Sequence, residues 1–209
     1  MGLRAVVFDY GIVLTGPPYP EARAALLRIT GLPVARFESL YWAGRPAYDE
    51  GKLTGFDFWQ RLVRDACLTL PPDKVEELNQ WDARMWTTEN PAMLAWQLAL
   101  KRRGLLTAIL SNMGDNVLAS LEREFDWIHR FDALVWSCQL HMAKPAPAIY
   151  FRTLQELGVR PGEALFLDDK VVNVEAARAL GIQAIQFSTF ERLRVDLIAG
   201  GLDSTLPLP

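Results

Sequence analysis

The 209-residue chain has few of the residues from which disulfide frameworks and zinc sites are built. It contains two cysteines, Cys67 and Cys138, and two histidines, His129 and His141, and none of them has Cys-x-x-Cys or paired-histidine spacing. We therefore expect both cysteines to be buried free thiols, and we expect no zinc site. His141 lies close to Lys144 in the sequence, although a lone histidine is more often structural than functional.

Long basic runs and long apolar runs are also missing. Lysine and arginine number 22 against 25 aspartates and glutamates, which gives a net charge of -3. Without a basic stripe, we expect no nucleic-acid partner. The first apolar stretch, MGLRAVVFDYGIVL, contains Arg4 and Asp9, so it predicts neither a signal peptide nor a membrane span. We expect a cytoplasmic monomer or homodimer with no membrane partner.

Apolar residues, by contrast, make up 50% of the chain, which is enough for one α/β core and a modest insertion. Short apolar runs alternate with stretches of helical spacing, and this pattern predicts βαβ units with a parallel sheet. The predicted strands are LRAVVFD (3–9), LLTAILS (105–111), ALVWS (133–137), ALFLD (164–168) and QAIQF (183–187). Asn90 followed by Pro91 predicts a helix start, and glycines follow the predicted helices 91–103, 147–157 and 171–180.

Residues 16–89 differ from the rest of the chain. They have helical apolar spacing and many aromatic side chains but no convincing strand, so we interpret them as helices inserted between the first two strands. Arg45 stands among aromatic residues in this segment and is a candidate contact for a substrate. Packing and surface pairing are the commoner roles for such an arginine.

Polar side chains stand at or soon after the ends of the predicted strands. They are Asp9, Ser111, Asn112, Lys144, Asp168 and Asp169. Ligands of parallel sheets collect beyond the carboxyl ends of the strands, so we expect these groups to converge on one crevice. Carboxylates, a hydroxyl and an ammonium group suit a metal ion and a phosphoryl group.

Charge balance requires a cation in such a site. A carboxylate and a phosphate repel each other by about 4 kcal/mol per unit charge pair at ~4 Å and an effective dielectric constant of about 20. Asp9, Asp168 and Asp169 offer oxygen ligands to Mg²⁺, and Lys144 supplies a second positive charge. Ser111 and the backbone N–H groups after it can donate to phosphoryl oxygens.

Four segments resemble, in order and spacing, motifs one to four of the haloacid dehalogenase-like hydrolases. They are VVFDYGIVLT, ILSN, KPAPAIYF and LFLDDKVVNVEAARALG. The resemblance covers residues 3–190 and implies a Rossmann-like, three-layer α/β core with a parallel sheet. It also implies an α-helical cap inserted after motif one, which divides the chain into a core (1–15 and 90–209) and a cap (16–89).

The resemblance assigns roles to the residues of these motifs. Asp9 is similar to the nucleophile of the family, and Ser111 and Lys144 to the groups that act on the phosphoryl group. With Asn112 and Arg45, Ser111 and Lys144 form the predicted phosphate-binding and substrate-binding set.

The implied metal ligands are Asp9, the backbone carbonyl of Gly11, and the acidic pair. Asp169 resembles the direct ligand and Asp168 an outer-sphere carboxylate, with the order of roles in the pair left open. Asn173 would orient Lys144 or the acidic pair. The implied cofactor is Mg²⁺.

Gly11 departs from the usual family pattern, in which a second aspartate two residues after the nucleophile acts as general acid and base. Losing a general acid costs about 10² to 10⁴ in rate. Family members whose first motif reads Phe-Asp-Leu-Gly include phosphatases, so activity is not excluded. Tyr10, Tyr19 and His141 are the candidates for a substitute proton donor.

We therefore expect a Mg²⁺-dependent phosphohydrolase acting on a small phosphorylated metabolite, with sugar phosphates first. A metal-free 2-haloacid dehalogenase is one alternative, although Asp168 and Asp169 would repel its carboxylate substrate. A catalytically weak phospho-ligand sensor or interaction module is the other. Turnover of an activated aryl phosphate with and without Mg²⁺ separates an enzyme from a sensor.

Overall fold

A five-stranded parallel sheet forms the centre of the computed structural model, which describes residues 2–208. The strands are β1 (Ala5–Phe8), β2 (Leu106–Ser111), β3 (Ala133–Trp136), β4 (Ala164–Asp168) and β5 (Gln183–Gln186). Their order is β3-β2-β1-β4-β5, and Val7 of β1 pairs with Ala108 of β2 and Phe166 of β4. The predicted α/β class and parallel sheet are confirmed.

Both faces of the sheet are buried, which explains why the strands read as continuous apolar runs. On one face Phe8 and Ile109 belong to one apolar cluster, and on the other Val7, Ala108 and Phe166 belong to a second. Successive side chains of a strand point to opposite faces, so each strand contributes to both clusters. This layered burial fixes the carboxyl ends of the strands at one edge.

Within residues 2–208, ten α-helices surround the sheet or lie between β1 and β2 in the chain. They are α1 (Pro20–Thr30), α2 (Val34–Asp49), α3 (Gly55–Asp65), α4 (Pro72–Arg84), α5 (Pro91–Arg102), α6 (Asp115–Glu124), α7 (Ser137–Leu140), α8 (Pro147–Leu157), α9 (Val171–Ala179) and α10 (Phe190–Ala199). The Asn90 side chain accepts a hydrogen bond from the N–H of Met93, as expected of an N-cap. Gly158 ends α8 in the left-handed conformation.

Cys138 is buried as expected, but the expectation is wrong for Cys67, which lies just after the end of α3 and is exposed.

Among residues 2–208, every helix is too short or too polar to cross a bilayer.

The inserted helices α1 to α4 pack around an apolar cluster of their own. Its largest members are aromatic and buried, and they are Phe37, Tyr41, Tyr48, Phe58 and Trp59. Aromatic side chains bury large areas, so a few of them suffice for a small four-helix unit. The division of the chain into a core and a cap stays a prediction.

The two ends of the inserted segment lie side by side. Thr15 and Glu89 form an antiparallel bridge. The N–H of Asn90 donates to the carbonyl of Leu14 at 2.9 Å, and the Asn90 side chain donates to the carbonyl of Val13 at 3.1 Å. The chain therefore leaves the sheet and returns to it at one place.

A tight seam joins the end of α2 to the loop that follows β2. The Tyr48 ring lies so close to Gly114 that a Cβ at this position would be 2.0 Å from the ring. The Ser137 hydroxyl donates to the carbonyl of Asp49 at 2.5 Å and accepts from the N–H of Met113 at 2.8 Å. This seam couples the position of the inserted helices to the loop after β2.

The seam predicts that Gly114→Ala destabilises the protein, because the added methyl group overlaps the buried Tyr48 ring. Overpacking of this kind costs about 1 to 3 kcal/mol. Gly162→Ala is the matched control, since a Cβ at Gly162 would meet no atom within 4 Å. Urea unfolding of both variants measures the difference. A Gly114→Ala protein with the unfolding midpoint of the wild type would contradict the close contact.

Candidate active site

One pocket at the carboxyl edge of the sheet brings most of the predicted site residues together. Its volume is about 330 Å³. The predicted residues that line it are Asp9, Gly11, Arg45, Ser111, Asn112, Lys144, Asp169 and Asn173. Asp168 is fully buried and lies behind this lining.

Asp9 directly follows β1 and is held by two donors. Its Oδ1 accepts the N–H of Tyr10 at 2.7 Å, and Lys144 Nζ lies 2.9 Å from the same oxygen. The tight turn that follows, Tyr10–Leu14, begins at this carboxylate. The residue is almost completely buried, so its orientation is fixed before any ligand binds.

Lys144 is the buried cation that joins the two neighbouring strand ends. Its Nζ donates to Asp168 Oδ2 at 2.6 Å, in addition to the contact with Asp9. Burial acts to lower the pKa of Lys144, but the two carboxylates outweigh burial and raise that pKa. Lys144 therefore stays an ammonium group at neutral pH.

The two carboxylates of the acidic pair have different surroundings. Asp168 accepts hydrogen bonds from Lys144, from the Asn173 amide and from the N–H of Lys170. Asp169 is half-buried, lines the pocket and forms no ion pair with another residue in the range 2–208. The carboxylate of Asp169 is thus the more available of the two.

The carboxylate of Asp9 lies close to those of Asp168 and Asp169, so negative charge is concentrated here. Burial raises the pKa of the Asp9 carboxyl to about 7, against the opposing effect of Lys144 and with a further rise from Asp168. Burial and the charge of Asp168 also raise the pKa of Asp169. Oxygen atoms of the three carboxylates lie within 4.8 Å of one another. Three hard oxygen donors with one ammonium group fit a bound divalent cation.

Ser111 and Asn112 end β2, but their side chains are used differently. The Asn112 amide donates to the carbonyl of Lys144 at 2.8 Å and accepts the N–H of Lys144 at 2.8 Å. Its groups therefore hold the Lys144 backbone. The Ser111 hydroxyl lines the pocket and has no hydrogen-bond partner among the described residues, so it is available to a ligand.

Arg45 reaches the pocket from α2, but carboxylates already hold its guanidinium group. It lies 2.8 Å from Asp49 Oδ1 and 3.3 Å from Asp82 Oδ2, and it stacks over the rings of Tyr41 and Tyr48. Two negative groups leave little net positive charge for a phosphate. The structure thus disfavours Arg45 as a phosphate-binding group, because of partners that sequence spacing does not reveal.

The three candidate proton donors are either engaged with a backbone carbonyl or absent from the pocket lining. The Tyr10 hydroxyl donates to the carbonyl of Trp86 at 2.7 Å, and burial raises the pKa of Tyr10 above its usual value. Tyr19 is an exposed residue outside the pocket lining. His141 contacts the carbonyl of Glu50 and also lies outside the lining. None of the three offers an evident substitute for the missing aspartate.

Two residues at this edge were missed in the sequence. Ser137 comes directly after β3, so the strand-end rule that found Asp9 and Ser111 could have identified it. Lys170 lines the pocket next to the acidic pair, but lysines on the surface are common and give no such signal.

Comparison with known proteins identifies the family. The model of the haloacid dehalogenase-like hydrolases matches residues 3–181. Bifunctional epoxide hydrolase 2 of Mus musculus is 35% identical over 228 residues, which cover 100% of this chain and 41% of that protein. Phosphatase MT3486 of Mycobacterium tuberculosis is 30% identical over 190 residues, covering 88% of this chain and 87% of that protein. The chain thus spans less than half of the length of bifunctional epoxide hydrolase 2.

Solved structures share the fold. A HAD family enzyme from Bacteroides thetaiotaomicron has a TM-score of 0.75 at 20% identity, covering 92% of this chain and 98% of that chain. An L-2-haloacid dehalogenase from Xanthobacter autotrophicus has a TM-score of 0.68 at 21% identity, covering 96% of this chain and 84% of that chain. The residues that the family model matches contain the four motifs, and the chain belongs to the haloacid dehalogenase-like hydrolases.

Proposed function

We propose that the protein is a Mg²⁺-dependent phosphatase that hydrolyses a small phosphate monoester through an aspartyl-phosphate on Asp9. The observation that carries this proposal is the buried Asp9, Lys144 and Asp168 cluster next to the available Asp169 carboxylate. Relatives named as phosphatases support it. A HAD family enzyme of the same fold was crystallised with magnesium and inorganic phosphate.

Mg²⁺ would be held by Asp9, the carbonyl of Gly11 and Asp169. Asp168 is less suited to direct ligation because its oxygens already accept hydrogen bonds from Lys144, Asn173 and a backbone N–H. When bound, the cation supplies positive charge that offsets the repulsion between the Asp9 carboxylate and the phosphate. Asp168 and Asn173 then act through Lys144 and keep its ammonium group in place.

The reaction would proceed in two displacements at phosphorus. An oxygen of Asp9 attacks phosphorus, the bond between phosphorus and the leaving alkoxide breaks, and the alkoxide takes up a proton from solvent water. Ser111, the following backbone N–H groups and Lys144 stabilise the charge on the phosphoryl oxygens. Water then attacks the aspartyl-phosphate, which releases inorganic phosphate and restores the Asp9 carboxylate.

A dehalogenase remains less suited to this pocket. Its substrate is a carboxylate, and three carboxylates of the chain already meet here. The likeness to a solved dehalogenase concerns the fold alone. A sensor that binds but does not turn over is favoured by one feature, the missing side chain at Gly11, and the kinetic tests below separate the two.

Asp9→Asn should abolish turnover, because an amide cannot act as the attacking oxygen. We expect hydrolysis of p-nitrophenyl phosphate with Mg²⁺ to fall to less than a few per cent of wild type, while the far-ultraviolet circular dichroism spectrum is retained. EDTA should suppress the wild-type rate, and added Mg²⁺ should restore it. Substantial activity in the variant would exclude Asp9 as nucleophile, and binding of inorganic phosphate without wild-type turnover would indicate a sensor.

Substitutions in the acidic pair should show that Asp169 binds the metal ion and that Asp168 stabilises the fold. Asp169→Ala should raise the Mg²⁺ concentration for half-maximal activity by roughly 10- to 100-fold or more with little change in stability. Asp168→Ala removes one partner of a buried ion pair and should lower the free energy of unfolding by about 3 to 5 kcal/mol. Magnesium titration and urea unfolding of both variants measure these effects. The reverse pattern would exchange the two roles.

Gly11→Asp should speed hydrolysis of esters with poor leaving groups. The backbone at Gly11 has φ -63° and ψ 134°, which any residue adopts, and a Cβ would meet only the Trp86 ring at 3.9 Å. A new general acid should therefore recover part of the ~10² to 10⁴ in rate available for alkyl phosphates, with little change for aryl phosphates. The control Gly11→Asn has a side chain of the same size as aspartate but no acidic proton. An equal gain in rate on alkyl phosphates in this control would refute general acid catalysis as the explanation.

A further inference from the structure

Beyond the phosphoryl-binding groups, the wall of the active-site pocket is mostly apolar. Its side chains come from the segment between β1 and α1, from α2, from the segment after α4 and from the region after β2. They are Ile12, Pro18, Trp42, Trp86, Met113 and Val117. An alcohol bound here would lie against hydrocarbon and indole surface, which favours an apolar leaving group.

Trp42 is the exposed member of this wall. Its exposed fraction is 47%, whereas its neighbours Tyr41 and Trp59 are buried. The indole N–H donates to Glu38 Oε2 at 2.8 Å, and the ring stands edge-on to Tyr41 at 5.0 Å between centroids. A large aromatic side chain held in one orientation at a pocket provides a binding surface at low entropic cost.

Lys170 faces the Trp42 ring from the sheet side of the pocket. Its Nζ lies 6.0 Å from the centroid of the indole ring, and both residues line the pocket. The contact joins the inserted helices to the loop after β4. A substrate group that fills this part of the pocket therefore contacts the Trp42 ring.

Two of the polar side chains near this wall are already engaged, whereas the ammonium group of Lys170 contacts the Trp42 ring and forms no ion pair among the described residues. Arg45 is paired with Asp49, and the Tyr10 hydroxyl donates to the carbonyl of Trp86. A sugar buried here would lose water from several hydroxyl groups and find few free partners besides Lys170, which costs free energy. The pocket is therefore better suited to hydrocarbon than to a polyol.

We propose that the substrate is the phosphate monoester of an alcohol that carries an aromatic ring, and that Trp42 selects this ring. The proposal rests on the phosphatase function proposed above, and it replaces sugar phosphates as the first substrate class. The overall reaction consumes one water molecule and yields the free alcohol and inorganic phosphate. The cavity of about 330 Å³ lies at the small end of ligand pockets, as a single ring with its phosphate requires.

The test compares esters whose leaving groups are all primary alkoxides, so that binding and not leaving-group chemistry sets the difference. The substrates are 2-phenylethyl phosphate, methyl phosphate, glycerol 3-phosphate and ribose 5-phosphate. We expect kcat/KM for 2-phenylethyl phosphate to exceed that for ribose 5-phosphate by at least about tenfold, the discrimination typical of a hydrophobic pocket. A preference for ribose 5-phosphate or glycerol 3-phosphate would overturn the proposal.

Variants assign this preference to Trp42. Trp42→Ala should lower kcat/KM for 2-phenylethyl phosphate by about tenfold, mainly through KM, with a much smaller effect on methyl phosphate. Trp42→Phe should keep most of the preference. Trp81→Ala is the matched control, because Trp81 belongs to the same helical unit but lies outside the pocket lining. An equal loss on all substrates in Trp42→Ala would show a structural role and refute selection by its ring.

Binding of phosphonates separates this proposal from the proposed function. These analogues cannot be hydrolysed, so they report on the pocket whether or not the protein turns over. Calorimetry should show 2-phenylethylphosphonate binding at least about tenfold more tightly than methylphosphonate, and Trp42→Ala should remove the difference. If the esters are hydrolysed but the two phosphonates bind equally tightly, the aromatic substrate class is overturned and the proposed phosphatase function is not. Selective binding without turnover of any ester, p-nitrophenyl phosphate included, would overturn the phosphatase and keep the selectivity.

Discussion

The buried ammonium group of Lys144 is the interaction on which the site depends. Asp9 follows β1 and Asp168 ends β4, and these strands are neighbours in the sheet, so their carboxylates meet in a largely buried region at the base of the pocket. Two buried carboxylates would repel each other without a cation between them. Lys144 lies within 2.9 Å of one and 2.6 Å of the other, and its own backbone is held by Asn112. The strand order brings the two carboxylates together, the segment after β3 positions Lys144, and the charge of Lys144 offsets the repulsion between the carboxylates.

The sequence allowed the sheet and the location of the chemistry to be predicted. Parallel strands bring their carboxyl ends to one edge, so Asp9, Ser111 and Asp169 could be placed together from strand ends alone. The helix bounds after Asn90 followed from proline and glycine. What could not be predicted is which partners each side chain takes. Arg45 pairs with Asp82, 37 residues away, and this contact exists only because α2 and α4 pack together.

Similar residues in one segment have unequal roles for the same reason. Trp42 and Trp59 both fall at helical spacing among apolar neighbours, and spacing alone treats them alike. Packing buries Trp59 in the aromatic cluster of the inserted helices and leaves Trp42 facing the pocket. Asn112 likewise stands at a strand end, where a ligand contact is the natural expectation, but its amide is used by the backbone of Lys144. Such distinctions arise from tertiary contacts.

The bridge between Thr15 and Glu89 has a consequence for how a chain of this kind can evolve. Because the inserted segment starts and ends at one place, its length can change without stretching the sheet or displacing Asp9, which lies six residues before the bridge. A different segment could be inserted at the same junction. It would need a side chain that packs against Gly114 and a carbonyl that accepts the hydrogen bond of the Ser137 hydroxyl. Substrate preference and phosphoryl chemistry can thus diverge at separate rates within one polypeptide.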